Sequence, residues 1–297
     1  MTSNQMQTIV GLGEILWDVF PDGPRFGGAP ANFSCSAASL AASSARVSMV
    51  SAVGDDSLGS RALQSLQDKH VDTTHVAVVQ HPTGKVDVSL DEDGKASYEF
   101  ASDTAWDNLP WHDDLLPLAA RADAVCFGTL GQRSDCSRQT IQRFLAATRP
   151  QTLRIFDINL RPPYYNETVI QQSLQLANVL KLNDEELPIL CELYECGGSD
   201  VEQLRQLSER CELKGIALTL GSQGATLLWN GQLHSADAVE TEVVDTVGAG
   251  DAFTAALALG LLAEEPLAVI NERATRVAAY VCSQSGATPP LPTSLHL

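Results

Sequence analysis

Basic residues are scarce in this sequence. Lys and Arg number 19 against 37 Asp and Glu, a formal net charge of -18, and no basic run occurs anywhere. Nucleic-acid binding needs a cationic footprint that displaces counterions from phosphates, so no nucleic-acid partner is expected. An anionic small substrate stays compatible, because a site needs only a few local donors. Long apolar runs are also missing. None approaches the ~20 residues of a membrane span, and MTSNQMQTIVGLGEI has no basic n-region, so neither a membrane partner nor a signal peptide is expected. The seven cysteines are odd in number, scattered and without a CxxC pair. Free thiols in a reducing cytoplasmic setting are the plain reading, in place of a disulfide framework or a zinc site.

What is present is ordinary for a folded protein: 44% apolar, 6% aromatic and 19% charged residues in a chain of 297. Short apolar runs alternate with longer helical patterns. Strands are expected at Gln7 to Ile15, Arg46 to Val53, Ala124 to Phe127, Leu153 to Asp157, Val179 to Leu182 and Gly215 to Leu220. Helices are expected at Ala31 to Ala42, Leu58 to Lys69, Arg138 to Ala147, Ile170 to Ala177, Val201 to Glu212, Ala252 to Leu262 and Leu267 to Ser283. This alternation implies parallel βαβ units in a three-layer α/β/α, Rossmann-like fold with a mainly parallel central sheet.

Residues 84–100, GKVDVSLDEDGKASYEF, break the rhythm. Apolar and polar residues alternate on either side of Asp93-Gly94, a hairpin signal, and suggest a ribbon apart from the central sheet: an edge hairpin or a lid over a site. No repeat, low-complexity tract or linker is visible. One domain, 1–297, is therefore expected, with a small β-sheet lid formed by insertions at about 14–28 and 84–101.

Residues 245–253, DTVGAGDAF, hold the densest chemistry. They fit a strand ending near Asp245, a tight turn, and a helix beginning at about Ala252. Gly248, Ala249 and Gly250 let the backbone approach an anion closely, and a helix N-terminus offers free N–H groups and a favourable dipole. Asp251 then reads either as an N-cap or as a general base beside a cradled phosphate. The dipole should lower its pKa, which phosphoryl transfer tolerates because positioning carries most of that catalysis. The P-loop pattern GxxxxGK[ST] is absent. IVGLGEILWD does not complete GxGxxG, since Leu16 stands where the third glycine belongs, which weakens a nicotinamide-dependent dehydrogenase.

DTVGAGDAF resembles the second signature of the PfkB (ribokinase-like) carbohydrate kinases, and GGAPANFS at 27–34 resembles the first. Between them stand VGDDSLG at 53–59, FDINLRPPYY at 156–165, LKLNDEEL at 180–187 and TLGSQGATL at 219–227, so the resemblance spans nearly the whole chain. It implies an ATP-dependent kinase acting on a sugar hydroxyl, with Asp251 as base and Gly248, Ala249 and Gly250 as the anion hole. Asn183 and Glu186 would organise Mg2+ through water, which suits a cation that keeps much of its hydration. Thr219, Gly221, Ser222 and Gly224 would line the nucleotide, with Thr275 and Ala278 against the base. Asp18, Gly28 and Asn32 would hold sugar hydroxyls. Asp245 and the carbonyl of Val247 would hold K+, although SQSGATPP places Gln284 where the family often has a basic residue.

Each residue also has a structural reading. Asn183 and Glu186 could cap a helix, GSQG could be a hairpin turn, and Asp18 could be a solvated turn residue. GEILWDVFPDG and FDINLRPPYY look most like bacterial fructokinases, making fructose the first expectation. Arg161 completes a DxNxR pattern shared with 2-keto-3-deoxygluconate kinases, where it could grip a carboxylate; it could equally pair with Asp157. Ribose or a nucleoside stays open as substrate. A non-catalytic sugar-binding regulatory protein is the alternative of another class. A homodimer through the lid is also compatible with the pattern.

Overall fold

A computed structural model describes residues 6–90 and 96–296, with backbone alone at 89–90 and 96–98. In chain order the elements are β1 (Gln7–Leu12), β2 (Leu16–Phe20), β3 (Gly23–Gly27), α1 (Ala29–Ala41), β4 (Ala45–Gly54), α2 (Ser57–Asp68), β5 (Val76–Val79), β6 (Gly84–Leu90), β7 (Ala96–Phe100), α3 (Leu115–Arg121), β8 (Ala124–Phe127), α4 (Asp135–Ala146) and β9 (Leu153–Asp157). There follow α5 (Glu167–Leu176), β10 (Val179–Asn183), α6 (Glu186–Leu193), α7 (Asp200–Arg210), β11 (Gly215–Thr219), β12 (Ala225–Trp229), β13 (Gln232–Ala236), α8 (Ala249–Leu262) and α9 (Leu267–Cys282).

The large sheet has the order β13-β12-β11-β10-β9-β8-β1-β4-β5. It is parallel from β5 to β11, and β12 and β13 add an antiparallel edge. Its central strands carry apolar side chains on both faces, because helices cover both. One core joins the sheet to α1, α2, α8 and α9, and a second joins it to α3 through α7. Helix α8, AGDAFTAALALGLL, is apolar all round because it lies between α1 and α9, buried from Ala252 to Leu261. The expected three-layer α/β/α architecture is present.

From β1 the sheet grows one way through β4 and β5 and the other way through β8. The loops after β1 and β8 therefore diverge, leaving a crevice at the carboxyl ends of these strands, where ligands of open α/β sheets bind. Over it stands a separate four-stranded sheet, β3-β2-β6-β7. Val86 and Val88 of β6 face inward while Lys85 and Asp87 face out, and Leu16, Val86, Trp106 and Leu130 pack the small sheet onto the body. β6 and β7 pair antiparallel as the alternation requires, although the Asp93-Gly94 turn lies outside the described residues. Among the described residues, no helix is long and apolar enough to cross a membrane.

Two local expectations need correction. No strand ends near Asp245: Val243 and Val244 are 61% exposed, and the amides of Val244 and Asp245 donate to the Cys282 carbonyl at the end of α9. The sheet already terminates at β13, so this segment has no strand to pair with. Helix α8 also starts three residues earlier than expected, at Ala249, because Gly248 takes a left-handed conformation (φ 82°) that turns the chain directly into the helix.

Candidate active site

The turn 248–251 lies over the crevice. Gly248 precedes α8, so Ala249, Gly250 and Asp251 form its first turn, whose N–H groups lack intrahelical acceptors. A side chain at Gly248 would place its Cβ 2.2 Å from the Ala287 carbonyl oxygen, so both the backbone angle and the space demand glycine. The loop is anchored from behind by Asp245, whose Oδ1 accepts from Val247 N at 3.0 Å and whose Oδ2 accepts from Gly286 N at 3.1 Å.

Asp251 is not an N-cap. Its Oδ2 accepts a hydrogen bond from Asn32 Nδ2 at 2.9 Å, and Oδ1 accepts none among the described residues. Nor is its pKa lowered by the helix. Burial and the neighbouring carboxylate of Asp157 push it up to about 7, with Glu14 adding, against the Asn32 hydrogen bond and the ammonium of Lys181. Desolvation thus outweighs the helix dipole, which contributes only about 0.3–1 kcal/mol in exposed settings.

Asn32 is 4% exposed, held near the start of α1 by the Gly28 turn, where a Cβ would lie 2.6 Å from the Glu14 carbonyl oxygen. Asp18 is half-buried within β2 rather than in a solvated turn. Burial raises its pKa to about 6, Arg161 and Arg25 oppose the rise, and Asp245 adds to it. Arg161 and Asp245 therefore both lie near enough to Asp18 to act on its charge. The expected alternative of an Arg161–Asp157 pair is not formed: Arg161 is exposed and donates to its own Leu160 carbonyl, whereas Asp157 pairs with Lys181.

Asn183 and Glu186 do cap α6. Asn183 Oδ1 accepts from the amides of Glu185 and Glu186, while Glu186 Oε2 accepts from Asn183 N and Oε1 from Leu160 N. The Glu186 carboxylate is buried and its pKa is raised by that burial, with Lys181 acting against the rise. Among the described residues, no cluster of three or more His, Cys, Asp or Glu could hold a metal directly.

GSQG is the turn of the β11–β12 hairpin, with Gly221 and Gly224 at φ 53° and 96°. Thr219 at the end of β11 and the exposed Ser222 lie on this edge. Thr275 is buried with its hydroxyl unpartnered among the described residues, and Ala278 one turn on is half-buried. Glu14 and Lys181, at 2% and 7% exposure, escaped the sequence reading, and Asp157, at 4%, entered it only as a possible partner of Arg161. Each interrupts or ends an apolar strand-like run, GLGEIL, LRIFD and VLKL, and a charge in such a run was the available signal. None of these residues lines the cavity of about 540 Å3 bounded by Arg133, Ser134, Tyr164, Tyr165 and Asn166 among others.

A glycine turn at a helix start, a carboxylate of raised proton affinity and a small sheet over the crevice suit phosphoryl transfer. Comparison with known proteins agrees: residues 23–294 match the pfkB family carbohydrate kinase model. The Escherichia coli fructokinase is 27% identical over 304 residues, covering 96% of each chain. The structure of an uncharacterized sugar kinase of Pyrococcus horikoshii superposes with a TM-score of 0.80 at 26% identity, covering 95% of this chain and 94% of that one. That of the Vibrio cholerae fructokinase, with fructose, ADP and calcium bound, superposes with a TM-score of 0.79 at 25% identity over 98% of both chains. The chain belongs to the pfkB family of carbohydrate kinases. It is an ATP-dependent enzyme that phosphorylates a sugar hydroxyl.

Proposed function

We propose that the enzyme converts D-fructose to fructose 6-phosphate, with Asp251 as general base. The observation that carries this reading is the Asp251 carboxylate itself, set in the first turn of α8 beside Gly248–Gly250 with one oxygen held by Asn32 and the other free. A pKa near the working pH is what a general base needs.

Sugar lies between Gly28, Asn32 and Asp18, and the small sheet closes over it as a lid to exclude water, which would compete as acceptor. ATP lies along Thr219, Gly221, Ser222 and Gly224, its base toward Thr275 and Ala278. As the sugar oxygen bonds to the γ-phosphorus, its proton passes to Oδ1 of Asp251 and the bond to the ADP oxygen breaks. The first-turn amides of Gly250 and Asp251 face the equatorial oxygens of the migrating group, while that of Ala249 donates to the Thr246 carbonyl oxygen at 3.3 Å. Asn183 and Glu186 would be the residues that hold Mg2+, by way of water, and the ion would supply charge neutralisation on the phosphates. Asp245 and the Val247 carbonyl, gathered against the tail by Gly286, offer the oxygen-only donors that suit K+. Free ATP and sugar as substrates fit a cytoplasmic enzyme, and the exposed edge of the lid sheet fits pairing in a homodimer.

One observation favours a second substrate. Arg161 has no carboxylate partner among the described residues, and a guanidinium near enough to Asp18 to act on its charge suits 2-keto-3-deoxygluconate. ADP release with Mg-ATP over fructose, ribose, 2-keto-3-deoxygluconate and adenosine decides between them. Turnover on fructose with the others near background supports the proposal. Preference for the sugar acid replaces it, and binding without turnover on any sugar would point to a non-catalytic role.

A further inference from the structure

Strand β10 reads VLKLN, and the lysine in its apolar middle is buried. An isolated buried ammonium costs several kcal/mol, so its neighbours must compensate. Lys181 Nζ lies 3.1 Å from Asp157 Oδ1 on β9. The other oxygen of Asp157 accepts from Thr254 Oγ1 at 2.9 Å, and that hydroxyl is also 2.9 Å from the Gly250 carbonyl oxygen. Lys181, Asp157, Thr254 and Gly250 thus form one chain of contacts from the middle of β10 and the end of β9 into the first turn of α8. A Cβ on Gly250 would come 3.0 Å from Lys181 Nζ, so the ammonium lies directly under the glycine turn.

We propose that Lys181 is a positioning residue of the phosphoryl transfer: paired with Asp157 and lodged under Gly250, it holds the glycine turn and Asp251 in register and places a fixed positive charge behind the migrating phosphoryl group. This rests on the reading of Asp251 as base and of residues 248–250 as the anion hole. A pair that served stability alone could be exchanged for a neutral pair of similar volume with little loss, as buried ion pairs often can. A positioning pair could not.

Asp251 is faced by Asp157 from β9, Lys181 from β10, Glu14 from the loop after β1, the Cys126 thiol from β8 and the Asn32 amide from α1. Lys181 and Asp157 act on its protonation with opposite signs, which separates their electrostatic role from a packing role. The test uses full-length Lys181→Met, Asp157→Asn and the double variant. The readouts are thermal stability, KM and kcat for sugar and ATP, and the acid limb of kcat/KM.

Lys181→Met should melt lower, because it strands the Asp157 charge, and the double variant should recover the melting temperature. Both should turn over about 100-fold more slowly than wild type, with KM values within about threefold. The acid limb should move to higher pH in Lys181→Met and to lower pH in Asp157→Asn. A double variant that regains wild-type kcat, or single variants whose acid limbs do not move, would overturn the proposal. If Lys181→Met alone does not fold, the double variant and Asp157→Asn still decide it. Full turnover by Asp251→Asn would instead remove the base reading, an outcome distinct from either.

Discussion

Asn32 in α1 donates its side-chain amide to the carboxylate of Asp251 in α8 at 2.9 Å, across 219 positions of sequence. The two ends of the chain meet in this bond. Asn32 fixes Oδ2, leaves Oδ1 without a partner among the described residues, and favours the ionised carboxylate against burial. Asn32→Ala should therefore lower kcat/KM by about 10- to 100-fold and move its acid limb to higher pH, because the ionised base loses a donor. A pH–rate profile of the variant checks both effects, and an unmoved limb would contradict this account of Asn32.

Two carboxylates give the wild-type profile its form. With Asp251 near 7 and Asp18 near 6, kcat/KM should fall with unit slope as pH drops below about 7. The slope should steepen toward two below about 6, where sugar binding also loses its ionised group. Asp18→Asn should weaken sugar binding and return the limb to unit slope.

Asp251 also carries a stability signature. Its folded pKa, about 7, stands above the ordinary value of 3.8, so the fold holds this proton more tightly than the unfolded chain does. The stability that protonation supplies is complete below about 4 and is lost as pH rises toward 7. Asp251→Asn should accordingly be more stable than wild type at about pH 8, by about 1–2 kcal/mol once partial exposure is allowed for. The gap should close toward about pH 4. Melting curves at the two pH values read it directly.

Gly248→Ala tests the turn. The substitution adds a Cβ 2.2 Å from the Ala287 oxygen at a residue with φ 82°, so the turn and the tail must separate. Loss of at least about 2 kcal/mol of stability is expected, with kcat falling about 100-fold or more as the amides of Gly250 and Asp251 lose their alignment. Near-normal turnover would show that the turn does not act as an anion hole.

Arg161→Met should leave turnover of fructose within about threefold if fructose is the substrate. If a sugar acid is the substrate, it should raise KM for that acid about 100-fold, the loss of a bidentate guanidinium–carboxylate contact. Steady-state kinetics on both sugars separates the two.

The parallel strands were legible because burial on both faces makes them short apolar runs: AVCF and LRIFD coincide with β8 and β9, and VLKL falls one residue short of β10. Their helices were legible from period and caps to within a few residues. Helix α3 was missed, since LLPLAAR has only seven residues and carries a proline, and α6, ELPILCEL, entered only as a helix that Asn183 and Glu186 could cap. The strand expected at VVD was wrong because local apolarity says nothing about whether a sheet edge is free to pair. Asp251 was located by its glycine turn, but its protonation was misjudged. The dipole of α8 is a local property, whereas the burial and the Asp157 charge that outweigh it come from β9 and the layers around it. Lys181 and Asp157 look like ordinary strand residues in sequence and become a pair only when β9 and β10 lie side by side.

The most direct test of the central claim is single-turnover transfer of the γ-phosphoryl group from Mg-ATP to fructose by wild type and by Asp251→Asn, with sugar and ATP affinities measured on both proteins. The account predicts that the variant binds both substrates within about threefold of wild type and transfers phosphoryl at least about 100-fold more slowly. Equal transfer rates in the two proteins would contradict Asp251 as the base.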